Sequence, residues 1–517
     1  MIPNIIKFFL LLQATIIYQN LICGLATGVL IVQIKEPVGG QLEILSRDDL
    51  DKIHGATVEI LQRLGVKIWE PTALKLFKEA GAEIDKKTMM VRIPESLLKE
   101  TIRKAPREFK LYGRDPDYVL NFAGNIVHFG SAGLAVRVHD LDGRIRPGKL
   151  KDVGDLARLA DALENIHMII MMVTPSDIPD DLYHMYVILE DWKNSGKTTD
   201  GWNYTAKKAQ ETIDMASILR GGTEELMKKP CLLGFTNPVS PMQLSKELIE
   251  GALIYAKYKQ PMIYAPEALA GGTAPATLAG LLVQQNAEVL SGIMISELAN
   301  PGTPVLYGTV SAALDMKTGA TALGGPEVGL LNIASGQLGR YYGLPRRGTG
   351  GNSDSKTLDA QAGLETATNM LMAALAGMNF IYDACGSLEG SITISYEKLV
   401  IDNEIAGMVS RILGGIEVTE ETLAVDEICK VGPNASFLGT PFTAKNFRKE
   451  HFITTLLDRR SMDTWLKTGS KDITAVAREK AKKILKEHEP VPMDKGVTAE
   501  LEKYIKKESK TYGIYAL

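Results

Sequence analysis

The chain has 517 residues, 45% hydrophobic and 23% charged, ordinary for a globular protein and long enough to bury a large core without a disulfide or metal staple. Its 58 Lys and Arg against 62 Asp and Glu leave a net charge of −4, without the basic excess of a duplex nucleic-acid binder. Cys23, Cys231, Cys385 and Cys429 stand far apart with no CxxC pair, which excludes a sequence-readable zinc ribbon or cystine framework and suits reduced thiols.

The first feature along the chain is Phe8–Ile34, a stretch with no charged side chain. It is long enough to span a bilayer, although Gln13, Gln19 and Asn20 interrupt it. Residues 1–35 therefore keep three readings: a signal or anchor, a small strand-bearing extension, and a start codon placed too early. Residues 42–150 read as an α+β extension. Within it, Ser46–Leu64 is a helix capped by Ser46, with Asp49 as the capping-box acid and Leu50, Ile53, Thr57, Ile60, Leu61 and Leu64 on one stripe. Helices over Thr72–Ala80 and from Pro94 to Pro106 flank a strand near Met90–Ile93. Past Phe109 the runs become short and alternating, and Asp142-Gly143 marks a hairpin turn.

A repeat then takes over, giving residues 151–424 as the core. Apolar runs at His167–Val173, Lys197–Trp202, Cys231–Thr236, Pro261–Ala265, Pro304–Gly308, Leu344–Gly348 and Asn379–Ala384 alternate with helical stretches. Strands so spaced, each followed by a helix, call for right-handed parallel crossovers. An eighth run near Ile126–Gly130 closes a (β/α)8 TIM barrel. The competing doubly wound sheet lacks a glycine-rich phosphate loop after its first strand. Residues 425–517 read as a polar helical closing segment, with an exposed charged helix at Lys471–His488 and the last residues packing back on the barrel.

In such a barrel, residues just past the strand ends share one mouth. They are Thr174, Asp177, Trp202, Tyr204, Asn237, Glu267, Thr309, Ser311, Asn352, Asp354, Asp383 and Glu389: acidic, amide and aromatic groups with few cations. A mouth of that kind suits a cationic ligand, because an aromatic face attracts a desolvated quaternary ammonium, although a single strand-end aromatic is more often packing. The densest segment, Gly343–Gly363, carries five glycines among Asn352, Ser353, Asp354, Lys356, Asp359 and Gln361. Its bland reading is a capped βα loop with Asp359 as the cap. His54 on a helix face, and His128 and His139 in hairpins, have no metal-ligand spacing, so no metal site is expected.

At this loop the chain resembles the trimethylamine methyltransferase family, the corrinoid-dependent enzymes that demethylate methylated amines. The resemblance runs from about residue 42 to 490 and is carried by Ala268–Ile293, Tyr307–Gly319, Gly324–Pro345, Ser353–Gly363 and Ser395–Ile405. It implies a TIM barrel, a cytoplasmic enzyme, a homo-oligomer, and a methyl transfer to Co(I) on a separate corrinoid protein, with no cofactor bound directly. Family members that use trimethylamine carry pyrrolysine just before the S-D-x-K motif; here that position is Asn352, whose amide forms no imine adduct. The resemblance thus points to the pyrrolysine-free branch, with quaternary amines such as glycine betaine. Asn352 is then a polar orienting group, with Asp354 and Glu389 as acidic partners. Trp202 and Tyr204 are cage candidates, and Thr309 and Asn237 line the pocket. Arg346, Arg347 and Lys356 are the nearest groups for a substrate carboxylate. Pro441-Phe442 stand where the family has a His-Thr pair. A trimethylamine enzyme proper and a non-catalytic amine-binding barrel are the alternatives.

Overall fold

A computed structural model describes residues 37–514; the three readings of residues 1–35 concern a stretch outside them. Eight parallel strands close into a barrel: β1 His128–Ser131, β2 Met168–Ile169, β3 Thr198–Asp200, β4 Leu232–Thr236, β5 Met262–Tyr264, β6 Val305–Gly308, β7 Arg346–Thr349 and β8 Phe380–Cys385. Every one lies in or against an apolar run read from the sequence. Closure comes where β8 pairs β1, with Phe380 opposite His128, and β1 pairs β2, with Gly130 opposite Met168. The first barrel strand thus falls inside the stretch assigned to the extension, and His128 is a strand residue rather than a hairpin one. A single short run with no helix of its own upstream gave no periodicity from which to set that boundary.

Eight helices follow the strands: α1 Leu150–Ala162, α2 Tyr183–Asn194, α3 Ala206–Arg220, α4 Lys246–Lys257, α5 Leu278–Ala299, α6 Pro326–Tyr342, α7 Ala360–Leu375 and α8 Tyr396–Leu413. Their starts follow local chemistry: Asp359 caps α7 through Ala362 N at 3.0 Å, and Pro326 opens α6 where its missing N–H is not needed. Among the described residues α5 is the one helix long and apolar enough to cross a membrane, and it is mostly buried in the fold. It lies between the barrel and the helices Arg47–Arg63 and Glu95–Ile102, so it has no polar face to keep.

The extension closes the barrel's base. The antiparallel hairpin Phe109–Tyr112 and Val119–Phe122 sends Phe109, Leu111, Leu120 and Phe122 into the same cluster as the inward residues Met168, Leu233, Ile263, Leu306 and Phe380. Phe109 and Phe122 stack with centroids 4.6 Å apart, and Phe122 meets Phe380 edge-on at 6.3 Å. The opposite end is built up instead. Arg137–His139 and Ile145–Pro147 form the hairpin around Asp142-Gly143, and Arg137–His139 pairs with Thr393–Ser395. A three-stranded sheet of Leu269–Ala270, Ala312–Leu314 and Thr321–Ala322 follows β5 and β6. With one end plugged, the mouth is the open end of the barrel.

Helices at Ile473–Glu487 and Lys495–Thr511 wrap back onto α8 and α3. Asp472 caps the first through Ala475 N at 2.7 Å, inside the stretch read as an exposed charged helix.

A candidate active site at the barrel mouth

Side chains alternate along a strand, so neighbours in sequence separate to opposite faces. On β7 this decides two arginines. Arg346 faces outward at the base, where its guanidinium donates to Gly377 O at 3.1 Å and Asn125 Oδ1 at 2.9 Å and packs on Gly339 of α6. It is a structural residue, far from any ligand at the mouth. Arg347 faces into the barrel, 1% exposed, with its guanidinium carbon 4.5 Å from the Tyr382 ring centre and 5.0 Å from that of Phe235. It donates to Thr309 O, while its Nε has no partner. Desolvation holds its pKa down to about 10, with Asp383, Tyr382 and Glu267 partly offsetting the burial.

Two buried carboxyls share this space. Asp200, on β3, accepts from Met171 N at 2.9 Å and from Tyr382. Burial pushes it up to about 7, and the Asp383 charge adds to the shift. Asp383, near the end of β8, sits at φ +53°, a conformation that needs its surroundings to enforce it. The enforcing contacts are Gly133 N, which donates to its Oδ1 at 2.9 Å, and the Asn352 side chain. Asp383 also lies in the upward direction through desolvation, which the Arg347 charge opposes.

Asn352 is 2% exposed and held from three sides: it accepts from Thr349 Oγ1 at 2.5 Å, donates to Ser391 Oγ, and bonds Asp383. Its loop runs so close to β8 that a Cβ on Gly351 would stand 2.0 Å from Ala384 O. A buried pair fixes that approach from behind. Lys398 Nζ meets Asp402 Oδ2 at 2.6 Å and Gly351 O at 3.4 Å, and Asp402 accepts from Gly386 N at 2.8 Å.

The loops that follow the strand ends enclose a cavity of about 480 Å³, within the range of small-ligand sites. Its walls carry Glu267, Asp315, Asp354 and Glu389, with Lys356 as the cation. Asp354 is half-buried; desolvation raises its pKa while Gly324 N, 3.0 Å away, holds it down. Glu389, at φ +54°, takes Thr393 Oγ1 at 2.8 Å and the Arg137 guanidinium at 3.1 Å. Glu267 is raised first by desolvation and then by Asp383, which links the wall to the buried set. The cavity carries four carboxylates among its walls, and one of them, Glu267, interacts electrostatically with the buried Arg347, so acidic groups and a cation flanked by two aromatic rings lie at the same end of the barrel.

The family description Trimethylamine methyltransferase (MTTB) matches residues 28–513. The chain belongs to the trimethylamine methyltransferase family. It is 36% identical over 471 residues to a glycine betaine methyltransferase of Desulfitobacterium hafniense, covering 91% of this chain and 98% of that one. It is also 36% identical over 486 residues to a trimethylamine methyltransferase of Methanosarcina barkeri, covering 92% and 97%. Among solved structures, the monomethylamine methyltransferase of Methanosarcina barkeri aligns with 88% of this chain and 97% of its own, at 13% identity and a TM-score of 0.47.

Against that family membership, the residues singled out from the sequence divide into three groups. Asn352, Asp354, Glu389, Arg347 and Lys356 converge on the mouth. Asn237 braces it, donating to Ala265 O at 2.9 Å. The others turn away. Thr309 directs its hydroxyl to Gln285 of α5 at 2.7 Å and offers the mouth only its carbonyl. Trp202 packs edge-on to Tyr183 at 5.1 Å in the layer between barrel and helices, and Tyr204 is exposed on the rim, so the two make no cage around the acidic cavity. Asp200, Phe235 and Tyr382 were missed because they lie within strands, whereas strand-end positions were the ones read. The period-two alternation that puts Leu233 and Phe380 inside also puts Phe235 and Tyr382 there.

Proposed function

We propose that the chain transfers a methyl group from a quaternary ammonium carboxylate, of the glycine betaine type, to Co(I) on a separate corrinoid protein. The observation that carries the choice of donor is Arg347: a buried guanidinium with an orphan Nε and no ion pair among the described residues. Asp383, Tyr382 and Glu267 offset the cost of that burial only in part, and a ligand carboxylate relieves the remainder. Trimethylamine brings no anion and leaves it unrelieved. The carboxylates of Glu267, Asp354 and Glu389 then face the ammonium end.

The transfer is an in-line displacement. Co(I) supplies the electron pair of the new Co–C bond, the C–N bond breaks, and nitrogen leaves with that bond's pair as a neutral tertiary amine. No proton is exchanged, so Asn352 and Asp383 orient the donor rather than act as acid or base. Closing the donor beneath the acceptor also removes water from the reacting methyl. The corrinoid protein is a second substrate, since 480 Å³ suits the amine and not a macrocycle. Its docking face is the rim, where Leu134, Val136, Tyr204, Val239, Met316 and Ile392 expose apolar surface on loops that follow the strand ends. The reaction belongs in the cytoplasm, where Co(I) and the thiols of Cys231, Cys385 and Cys429 persist reduced.

Calorimetric titration tests the donor. Glycine betaine should bind, and choline, which keeps the ammonium but lacks the carboxylate, should bind on the order of a hundredfold more weakly. Equal affinities would overturn the role of Arg347, and tight binding of trimethylamine would return the trimethylamine reading.

A further inference from the structure

We infer that Gln285 of α5 is a positioning residue: through Thr309 it fixes both Arg347 and the loop that carries Glu267, and so sets the spacing between the cation and the acidic wall. The inference rests on the donor reading above, in which those two groups hold opposite ends of one molecule.

The observation begins in α5. This largely apolar, buried helix carries Gln284, Gln285, Asn286 and Glu288 close together, none more than 8% exposed. Buried amides and carboxyls are destabilising unless each finds a partner, so such a run is kept for what it holds. Three of the four brace other parts of the fold. Gln284 donates to Thr273 O at 2.9 Å, and Asn286 donates to Tyr342 Oη at 2.8 Å and Thr57 Oγ1 at 3.0 Å. Glu288 accepts from Ser240 Oγ and Met242 N, both at 2.8 Å. Gln285 reaches the residue just past β6.

Its amide is anchored at both ends. Nε2 donates to Ser335 Oγ of α6 at 2.8 Å, and Oε1 accepts from Thr309 Oγ1 at 2.7 Å. Because β6 stops at Gly308, Thr309 has left the strand; Arg347 O takes its N–H at 3.2 Å, and Gln285 holds its side chain. From Thr309 two lines run to the mouth. Its carbonyl accepts from the Arg347 guanidinium, so where that carbonyl points decides where the guanidinium rests. Its hydroxyl oxygen accepts from Ser311 N at 3.2 Å. The Ser311 hydroxyl in turn donates to Pro266 O and accepts from Ala268 N, each at 3.2 Å, which brackets Glu267 from both sides. Gln285, Ser335, Thr309 and Ser311 are at most 1% exposed, so water does not compete for these bonds. With the Thr309 proton committed to Gln285, its oxygen is left for the Ser311 amide, and both charged groups are referred to one rigid helix. Such support narrows the ligand geometry a site accepts.

Calorimetric titration with glycine betaine, its homologue longer by one methylene between nitrogen and carboxylate, and choline tests this. The wild type should prefer glycine betaine to the longer homologue by on the order of tenfold. Gln285→Met, which keeps the volume and loses both hydrogen bonds, should shrink that preference to about threefold or less. Thr309→Val breaks the same link from the other side and should do likewise, so the prediction stands on a second variant if Gln285→Met does not fold. Thr309→Ser keeps the hydroxyl and should keep the wild-type preference. A purely structural Gln285 would lower the melting temperature and leave the ratio between the homologues unchanged. A wild type indifferent to the added methylene, or folded Gln285→Met or Thr309→Val protein with wild-type discrimination, would overturn the inference. Choline separates that failure from failure of the donor reading. Equal affinity of the wild type for choline and glycine betaine removes the reading and the inference with it, whereas a preference for glycine betaine over choline keeps the reading whichever way the homologues fall.

Discussion

At the scale of single residues, the site keeps charges where water would otherwise hold them. Arg347 is the clearest case, because Thr309 O is its one hydrogen-bond acceptor and the Phe235 and Tyr382 rings are its other close partners, with no ion pair among the described residues. Replacing a buried unpaired charge with an apolar residue of similar volume is often neutral or stabilising. Arg347→Met should therefore leave the melting temperature unchanged or raise it, while KM for a betaine-type donor rises on the order of a hundredfold. Calorimetry and steady-state kinetics on one preparation check both halves, and a large loss of stability would recast Arg347 as structural. Asp200 gives the pH dependence. Its folded pKa, about 7, lies above the ordinary carboxylate value, so it is neutral below that and anionic above it. A cationic donor favours the anion, and KM should rise as pH falls through about 7. Asp200→Asn should flatten that limb of the profile while leaving any limb from other groups in place.

Among elements, the glycine loop between β7 and α7 is held by the pair behind it rather than by its own propensity. Removing Lys398 leaves Asp402 buried and alone, so Lys398→Met should destabilise by about 3–5 kcal/mol. The double change with Asp402→Leu should recover most of that in thermal or denaturant unfolding. At the far end, Phe122→Ala opens the packed base plug and should cost about 3–5 kcal/mol with KM unchanged. Elements are also where the sequence was most legible. Ser46 and Asp49 form the capping box expected of them, with Asp49 N 3.2 Å from Ser46 Oγ, and all eight barrel strands fall on apolar runs. That reading rests on local signals, since caps and periodicity need nothing distant. The site was only partly legible because facing is set by register within the closed barrel. Arg346 and Arg347 are chemically alike and adjacent, and only the pleat separates the one buttressing the base from the one lining the mouth. Thr309 stands at a strand end as expected, yet Gln285 of α5 captures its hydroxyl, a contact no local pattern announces.

Across the whole molecule, one plugged end and one open end give methyl transfer a single direction. The base hairpin fills the barrel and the accessory sheets build up the mouth; in the proposed reading, Arg347 and the acidic walls give a donor with separated charges one favoured orientation. The most direct test is spectrophotometric: supply the enzyme with a Co(I) corrinoid protein and follow loss of Co(I) and growth of methyl-Co(III). Glycine betaine should support transfer at least about a hundredfold faster than trimethylamine, and Arg347→Met should abolish that preference. Equal rates from the two donors, or no methyl-Co(III) from either, would contradict the account.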